Sequence, residues 1–574
     1  MSQIRVQERV SRPYSIRETL SRLAWQQGVA CFFTQNVPFS YSAGSDFAKK
    51  IADAMAFFIQ EASIQGPIGW VELGSGLGLL GRHLMDALQG HHADIYEASQ
   101  FLLTDYTRPL VETLDQSGLF SPHRSRVHFS QVDANYPVFN ETIPAHITWM
   151  SYLLDSLDTC HIEVREGHIF ELYVQTDIAK TAKILDARTL PPRIREAEDI
   201  ALLLRLGTEE DFQILGPMLQ KNLCETLVPV ALDDTDGSQE WKQHLKEAVH
   251  AMAFPKDGTY RFNVSPAAKT ILDRWVSQTP DRAILMLNDF GYLHEKTCPP
   301  PEKLTTGYGA VSCHSVYFPY LEFLAKQRGL RMWTTQYKEG NTQVAFIIKG
   351  DISDTCIQVF DALFKDAGYD YIQSIVDQIL AFKDSPEENL KQTTMIWEQL
   401  SDIEKQDYLL GITCTAACLD DGKYKAALWF ANQIPHSYDA MGVATYQLMG
   451  KAHKGLGQFD QAVFYFKLAL SIAPGLGAIH SQLAQVALTK EDYEVYLTHA
   501  IAFVTASREW VIWEQLITIA MVQTKLGQYH QARHLCRWLE SSAQRYPDII
   551  PESVKNKATT LLDTFLKAGK RTSS

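Results

Sequence analysis

Val71-Glu72-Leu73-Gly74-Ser75-Gly76-Leu77-Gly78-Leu79-Leu80-Gly81 is the stretch on which the reading of this chain turns. A β-rich run ends at Leu73, three glycines at alternate positions turn the chain, and an amphipathic helix begins near Leu79. Gly74 and Gly76 remove Cβ atoms where the backbone must turn tightly and touch a ligand, which the amides of the next helix then face. No Lys-Ser/Thr follows the glycines, so this is not a triphosphate-binding loop. Glu72 stands two residues before the first glycine, where a dinucleotide fold more often has an apolar residue.

Outward from the loop, short β-rich runs at 70–73, 101–104, 127–129 and 146–150 are spaced by helical stretches, the signature of βαβ units and a parallel sheet. Two further runs, 283–287 and 342–348, extend a doubly wound α/β sheet to about residue 350. Two strands end in acids, Leu103-Thr104-Asp105 and Gln131-Val132-Asp133-Ala134. One would accept hydrogen bonds from both ribose hydroxyls and the other would meet an adenine amino group. Asp105 lies 31 residues past Gly74, farther than the ~20 usual for a ribose acid. Glu97 is nearer that spacing, and both stay open. The strand ending in Asp105, with Pro109 opening a helix after it, favours Asp105.

This combination resembles class I S-adenosylmethionine-dependent methyltransferases, which implies a Rossmann-like domain with S-adenosylmethionine as cofactor. The resemblance implies that Glu72 helps hold the methionine end beside Gly74, Ser75, Gly76 and Gly78. It gives Asp105 the ribose, Asp133 with Ala134 the adenine, and places Ser151 among the cofactor contacts. The run Ser151-Tyr152-Leu153-Leu154-Asp155-Ser156-Leu157 resembles the Asn-Glu-Phe-Phe-Asp-Ala-Leu signature of MidA-like proteins, a family that includes the mitochondrial complex I assembly factor methylating arginine on a protein subunit. Ser265-Pro266, Asn288-Asp289-Phe290-Gly291-Tyr292 and His314 resemble that family's later segments. Ser151-Tyr152 replaces its Asn-Glu pair, so a carboxylate that could face a guanidinium is missing there.

Methyl transfer to nitrogen needs close positioning and a neutral nucleophile, hence a general base. Asp155, Asp289 and His314 are the candidates, all expected near the carboxyl edge of the sheet. Asp155 could instead cap a helix, Asp289 fix a loop, and His314 pack. Pro38-Phe39-Ser40-Tyr41-Ser42-Ala43-Gly44 could close over the cofactor or simply open a helix.

Beyond about residue 365 strand signals vanish. Tyr446, Met449, Gly450, His453, Gly457, Ala462, Phe466, Ala469 and Pro474 fall at the spacing of a tetratricopeptide repeat, whose small residues let paired helices approach. Echoes occur at Gly422-Lys423-Tyr424 with Ala427 and at Gly527-Gln528-Tyr529 with Ala532. The expected organisation is an N-terminal helical segment over 1–45, a methyltransferase domain over 46–350, and a repeat domain over 365–570. The insertion at 190–262 reads as all-helical, a lid over the site or a packing embellishment.

The 574 residues carry 53 Lys+Arg against 67 Asp+Glu, a net charge of −14, and 46% are hydrophobic. That excess of acid argues against a sequence-independent grip on nucleic acid. Residues 1–20 lack a secretory apolar core and no apolar run approaches ~20 residues, so neither export nor a membrane span is expected. The nine cysteines include no CxxC pair, so no metal site is expected and the compartment reads as cytoplasmic. The expected function is methylation of a protein or peptide recruited through the repeats. A catalytically silent scaffold, and a small-molecule methyltransferase using the repeats for a homodimer, remain alternatives.

Overall fold

The computed structural model describes residues 3–37, 41–137, 143–255, 258–294, 300, 303–337, 342–365, 370–381, 386–506 and 512–571. Two compact units result, one of residues 7–177 and 224–442, the other of 1–6, 178–223 and 443–574.

The first unit is built on β1 (Ile68–Leu73), β2 (Ser99–Asp105), β3 (Val127–Gln131), β4 (Ala145–Ser151), β5 (Ala283–Tyr292), β6 (Arg331–Thr334) and β7 (Thr342–Lys349), in spatial order β3-β2-β1-β4-β5-β7-β6. Strands β1 to β5 pair in parallel, whereas β7 runs antiparallel to both β5 and β6. Strand order reverses between β1 and β4, so the crevice at their carboxyl ends is the expected ligand site of a doubly wound sheet. The strands were legible because a sheet covered on both faces reads as continuous apolar runs: all six residues of β1 are buried, as are Ala283 to Asp289 of β5.

Three helices frame this edge. Helix α1 (Ile16–Trp25) starts at Ser15, whose hydroxyl accepts from the Glu18 amide. Helices α2 (Ser45–Glu61) and α3 (Leu79–His91) pack together, burying Phe47, Ile51, Met55, Leu84 and Leu88. Gly78 opens α3 in the left-handed region at φ +73°, and a Cβ there would lie 2.8 Å from Leu114.

The segment expected to be helical over 1–45 carries α1 and the short helix Val29–Thr34, but it begins with a strand, Gln3–Val10. That strand belongs to a second sheet ordered Gln3–Val10, His168–Ala179, Cys160–Arg165, Thr259–Val264, with Leu223–Ala231 also on His168–Ala179. The insertion is likewise not all-helical. Helices Ala197–Leu206, Glu209–Lys221 and Gln239–Ala251 are interleaved with strands at Arg193–Glu196, Leu223–Ala231 and Thr259–Val264. Leu223–Ala231 tolerates Pro229 because an edge strand need not donate every amide. Within the first unit, Cys224–Phe262 builds this second sheet and contributes no residue to the cavity described below; the expected lid is a packing element there.

The unit boundaries also differ from those expected. Residues 178–223 fold with 443–574: Leu185 and Ala187 join the apolar cluster of Leu516, Leu535 and Leu539. The helix pair Tyr408–Asp420 and Tyr424–Gln433, with the Gly422 echo in its turn, belongs to the first unit. In the second unit, α4 (Val443–Gly455) and α5 (Phe459–Ile472) pack as a pair, followed by Gly477–Thr489 with Tyr493–Ala506 and by Trp513–Lys525 with Tyr529–Arg545. Ala462, Phe466 and Ala469 are fully buried where α5 meets α4. Among the described residues no helix is long and apolar enough to cross a membrane, and no group of His, Cys, Asp or Glu could hold a metal ion.

Candidate functional site

A cavity of about 940 Å³ opens at the carboxyl ends of β1, β2 and β4. Its floor is the glycine turn. The Ser75 amide and hydroxyl both donate to the Thr104 carbonyl, at 2.8 and 2.9 Å, which ties the turn to β2. Gly74 and Gly76 sit at φ +73° and +52°. A Cβ on Gly74 would lie 2.8 Å from Leu153, and one on Gly76 would lie 3.2 Å from the Phe32 ring. The glycines are therefore required by conformation and by space.

The Gly76 amide donates to Asp105 Oδ2 at 3.0 Å. Burial pushes the Asp105 carboxyl up to about 6 despite that bond and others from backbone amides. Glu97, the other ribose candidate, lies on the short helix Ala93–Ala98, two-thirds exposed and paired with Arg126. It does not line the cavity. Glu72 points beneath the start of α3, where a Cβ on Gly81 would come within 2.8 Å of Oε2. That oxygen is buried without a hydrogen-bond partner. Burial pushes the Glu72 carboxyl up to about 8, and the Asp105 charge adds to the push.

Of the other expected cofactor contacts, Asp133, Ala134 and Ser151 line the cavity, and Gly78 does not. Asp133 Oδ1 accepts from the Asn135 amide at 2.9 Å, and Ser151 Oγ accepts from Asn288 at 2.9 Å. Tyr152 adopts φ +50°, an uncommon conformation for a bulky residue, with its hydroxyl 2.9 Å from Thr342 Oγ1. Pro38, Phe39 and Ser40 lie outside the described residues, while Ser42 and Ala43 of the same segment line the cavity.

The three base candidates separate. Asp155 lines the cavity from the turn Leu154–Ser156, directly after β4. Asp289 does not: Oδ2 accepts from the Asp155 amide at 3.2 Å and Oδ1 from the Phe290 amide at 2.9 Å, so it fixes the turn that carries Asp155. Burial pushes both carboxyls up, Asp289 further because of the Asp155 charge. His314 is buried outside the cavity, with Nδ1 3.1 Å from Thr305 Oγ1 and Nε2 3.3 Å from Glu18.

Sequence reasoning missed the wall opposite the glycine turn. Glu18, Ser21, Arg22 and Trp25 of α1 all face the cavity, at the spacing that puts residues on one helix face. Trp25 meets Phe32 edge-on at 5.4 Å. Tyr106 and Tyr136, both exposed, flank the cavity beside Asp105 and Asp133. The lining holds six acidic side chains, those of Glu18, Glu72, Asp105, Asp133, Asp155 and Asp158, of which burial keeps Glu72 mostly protonated at neutral pH, against one guanidinium, that of Arg22. Such a field attracts cations and repels phosphates.

Residues 443–476 match the tetratricopeptide-repeat family. No curated protein matches the chain. Two crystal structures from Burkholderia thailandensis are similar over 60% of it. One, a candidate methyl transferase bound to S-adenosyl-homocysteine, is 12% identical, covered over 89% of its length, with a TM-score of 0.36. The other, an uncharacterized protein of the same superfamily, is 11% identical, covered over 88%, with a TM-score of 0.38.

Proposed function

We propose that the protein is an S-adenosylmethionine-dependent methyltransferase acting on a nitrogen of a protein or peptide, arginine being the acceptor that the MidA-like resemblance implies. One observation carries this reading: a phosphate-repelling cavity whose glycine amides and three strand-end acids suit a cationic nucleoside. The strand order with β7 reversed is in keeping with the class I methyltransferase resemblance. The donor set fits the cofactor. Asp105 and Asp133 would hold the ribose and adenine, Tyr106 and Tyr136 would flank the base, and the orphaned Glu72 oxygen suits an ammonium at the methionine end. Bound there, S-adenosylmethionine supplies a methyl group on a sulfonium. Leu153 and Phe32 crowd the turn and Trp25 closes the wall, keeping water from the acceptor. Asp155, which lines the cavity, would take the proton an acceptor nitrogen must give up, and burial makes its carboxylate the better base.

Calorimetry with S-adenosyl-homocysteine tests the nucleoside site. Asp105 accepts hydroxyl hydrogen bonds only as the carboxylate, and its group sits at about 6. Affinity should weaken about tenfold for each unit below 6 as Asp105 protonates, a step separate from the one that Glu72, at about 8, contributes at higher pH. Asp105→Asn should bind weakly at every pH, without that slope. A wild-type affinity independent of pH would remove Asp105 from the ribose, and no binding at all would refute the reading. The peptide part rests on the repeats, since stacked helix pairs offer concave surfaces to extended chains. Transfer of a labelled methyl group into the protein fraction of a size-separated cell extract is expected; label only in small molecules would overturn it.

A further inference from the structure

We infer that Glu18 is the carboxylate that reads a cationic acceptor nitrogen, replacing the acid absent at Ser151-Tyr152; this deepens the methyltransferase reading and rests on it. Glu18 sits in the first turn of α1 and lines the cavity, whereas its two partners behind it, Arg12 and His314, do not. Both approach one oxygen. Arg12 Nε donates to Oε1 at 3.0 Å and His314 Nε2 lies 3.3 Å from the same atom. The other oxygen, Oε2, makes no hydrogen bond among the described residues. Burial alone would push this carboxyl up, but the His314 and Arg12 charges reverse that and hold it below the usual range.

The backing is rigid. Arg12 is 2% exposed and its Nη1 reaches Glu225 at 2.9 Å, which also takes Arg17 at 2.8 Å. The hairpin carrying His314, Thr305–Tyr308 with Val311–His314, is fastened to α1 where the Ser312 amide donates to Ser21 Oγ at 2.9 Å. Burying this many charges beside a cavity is costly unless all are paired. Glu225 is shared between Arg12 and Arg17, and Glu18 completes the pairing of Arg12 through Oε1 alone, so its second oxygen, free on a cavity-lining residue, points to an outside cation. Arg22, one turn on, is already engaged by the Pro13 carbonyl at 3.1 Å and lies 3.7 Å from Asp158. Trp25 adds an aromatic face on which a guanidinium can stack.

The test uses the full chain saturated with S-adenosyl-homocysteine, whose own titration reads the nucleoside site by itself. N-acetyl-arginine amide is the probe and its citrulline isostere the neutral control. Wild type should bind the arginine probe about 10- to 100-fold more tightly than the citrulline one, the ratio expected for one charge-assisted pair. Glu18→Gln should erase that ratio while leaving nucleoside affinity unchanged. Glu18→Asp keeps the charge against Arg12 and His314 but withdraws it by one methylene; it should retain part of the ratio, and serves if Glu18→Gln does not fold. Equal binding of both probes by wild type, or an unchanged ratio in either variant, would overturn the inference with the nucleoside site intact. Failure of wild type to bind S-adenosyl-homocysteine would sink the methyltransferase reading, and this inference with it.

Discussion

Gly76→Arg is expected to abolish binding of S-adenosyl-homocysteine while lowering the melting temperature of the first unit by only a few degrees. Three effects converge at this position. An L-residue at φ +52° is strained, at about 1–2 kcal/mol, and the new Cβ would press on the Phe32 ring at 3.2 Å. Relief of that strain moves the amide that now holds Asp105 Oδ2 at 3.0 Å. The guanidinium then enters a cavity lined by six acidic side chains, where it would pair with Asp105 and occupy the volume the ligand needs. A cost of 1–2 kcal/mol moves the midpoint by only about 1–3 °C for a unit of this size, whereas losing the cradle and the ribose acid removes most of the binding energy. Calorimetry and circular dichroism on the same preparation separate the two. Gly76→Ala, which adds the strain without the charge, should fall between. Affinity retained within about threefold would show that the turn is not the ligand's cradle.

What could be read from sequence follows from how each part is encoded. The glycine turn and the strands around it announce themselves because parallel strands buried on both faces leave unbroken apolar runs such as Ala283 to Leu287. The acids at the ends of β2 and β3 follow from those strands. The opposite wall has no such signature. Glu18, Arg22 and Trp25 lie on an ordinary amphipathic helix some fifty residues before the turn, and nothing local distinguishes a cavity-facing stripe from a core-facing one. Asp289 resembled a base because it falls on the strand after which a catalytic acid is expected. Its carboxylate instead spends its lone pairs on amides of its own strand and of the Asp155 turn. The second sheet was hidden for a different reason. Strands such as His168–Ala179 mix charged and apolar residues, and Leu223–Ala231 contains a proline, so the helices between them, with the Thr208 capping box, gave the more regular signal.

The repeat unit yields the other large effect: Gly450→Leu should cost the second unit about 3 kcal/mol or more of stability. A Cβ at Gly450 would lie 2.5 Å from Cδ1 and Cε1 of Phe466, closer than any relaxed contact. The ring has no room to retreat, because Phe466 is fully buried and flanked one turn away on α5 by Ala462 and Ala469, both also fully buried. Helices α4 and α5 must therefore separate, and in a stacked array each pair is held mainly by its neighbours, so the loss spreads along the unit. Two other glycines calibrate the effect. Gly457 has nothing within 4 Å of a built Cβ but sits at φ +74°, so Gly457→Ala should cost only about 1 kcal/mol, from backbone strain alone. Gly475 has open space and no left-handed φ, so Gly475→Ala should be neutral or stabilise by about 0.4–1 kcal/mol, through a less flexible unfolded chain. Hydrogen exchange at the amides of α4 and α5 reads the three side by side. If Gly450→Leu protects those amides as well as Gly475→Ala does, close helix approach is not what the glycine at 450 provides.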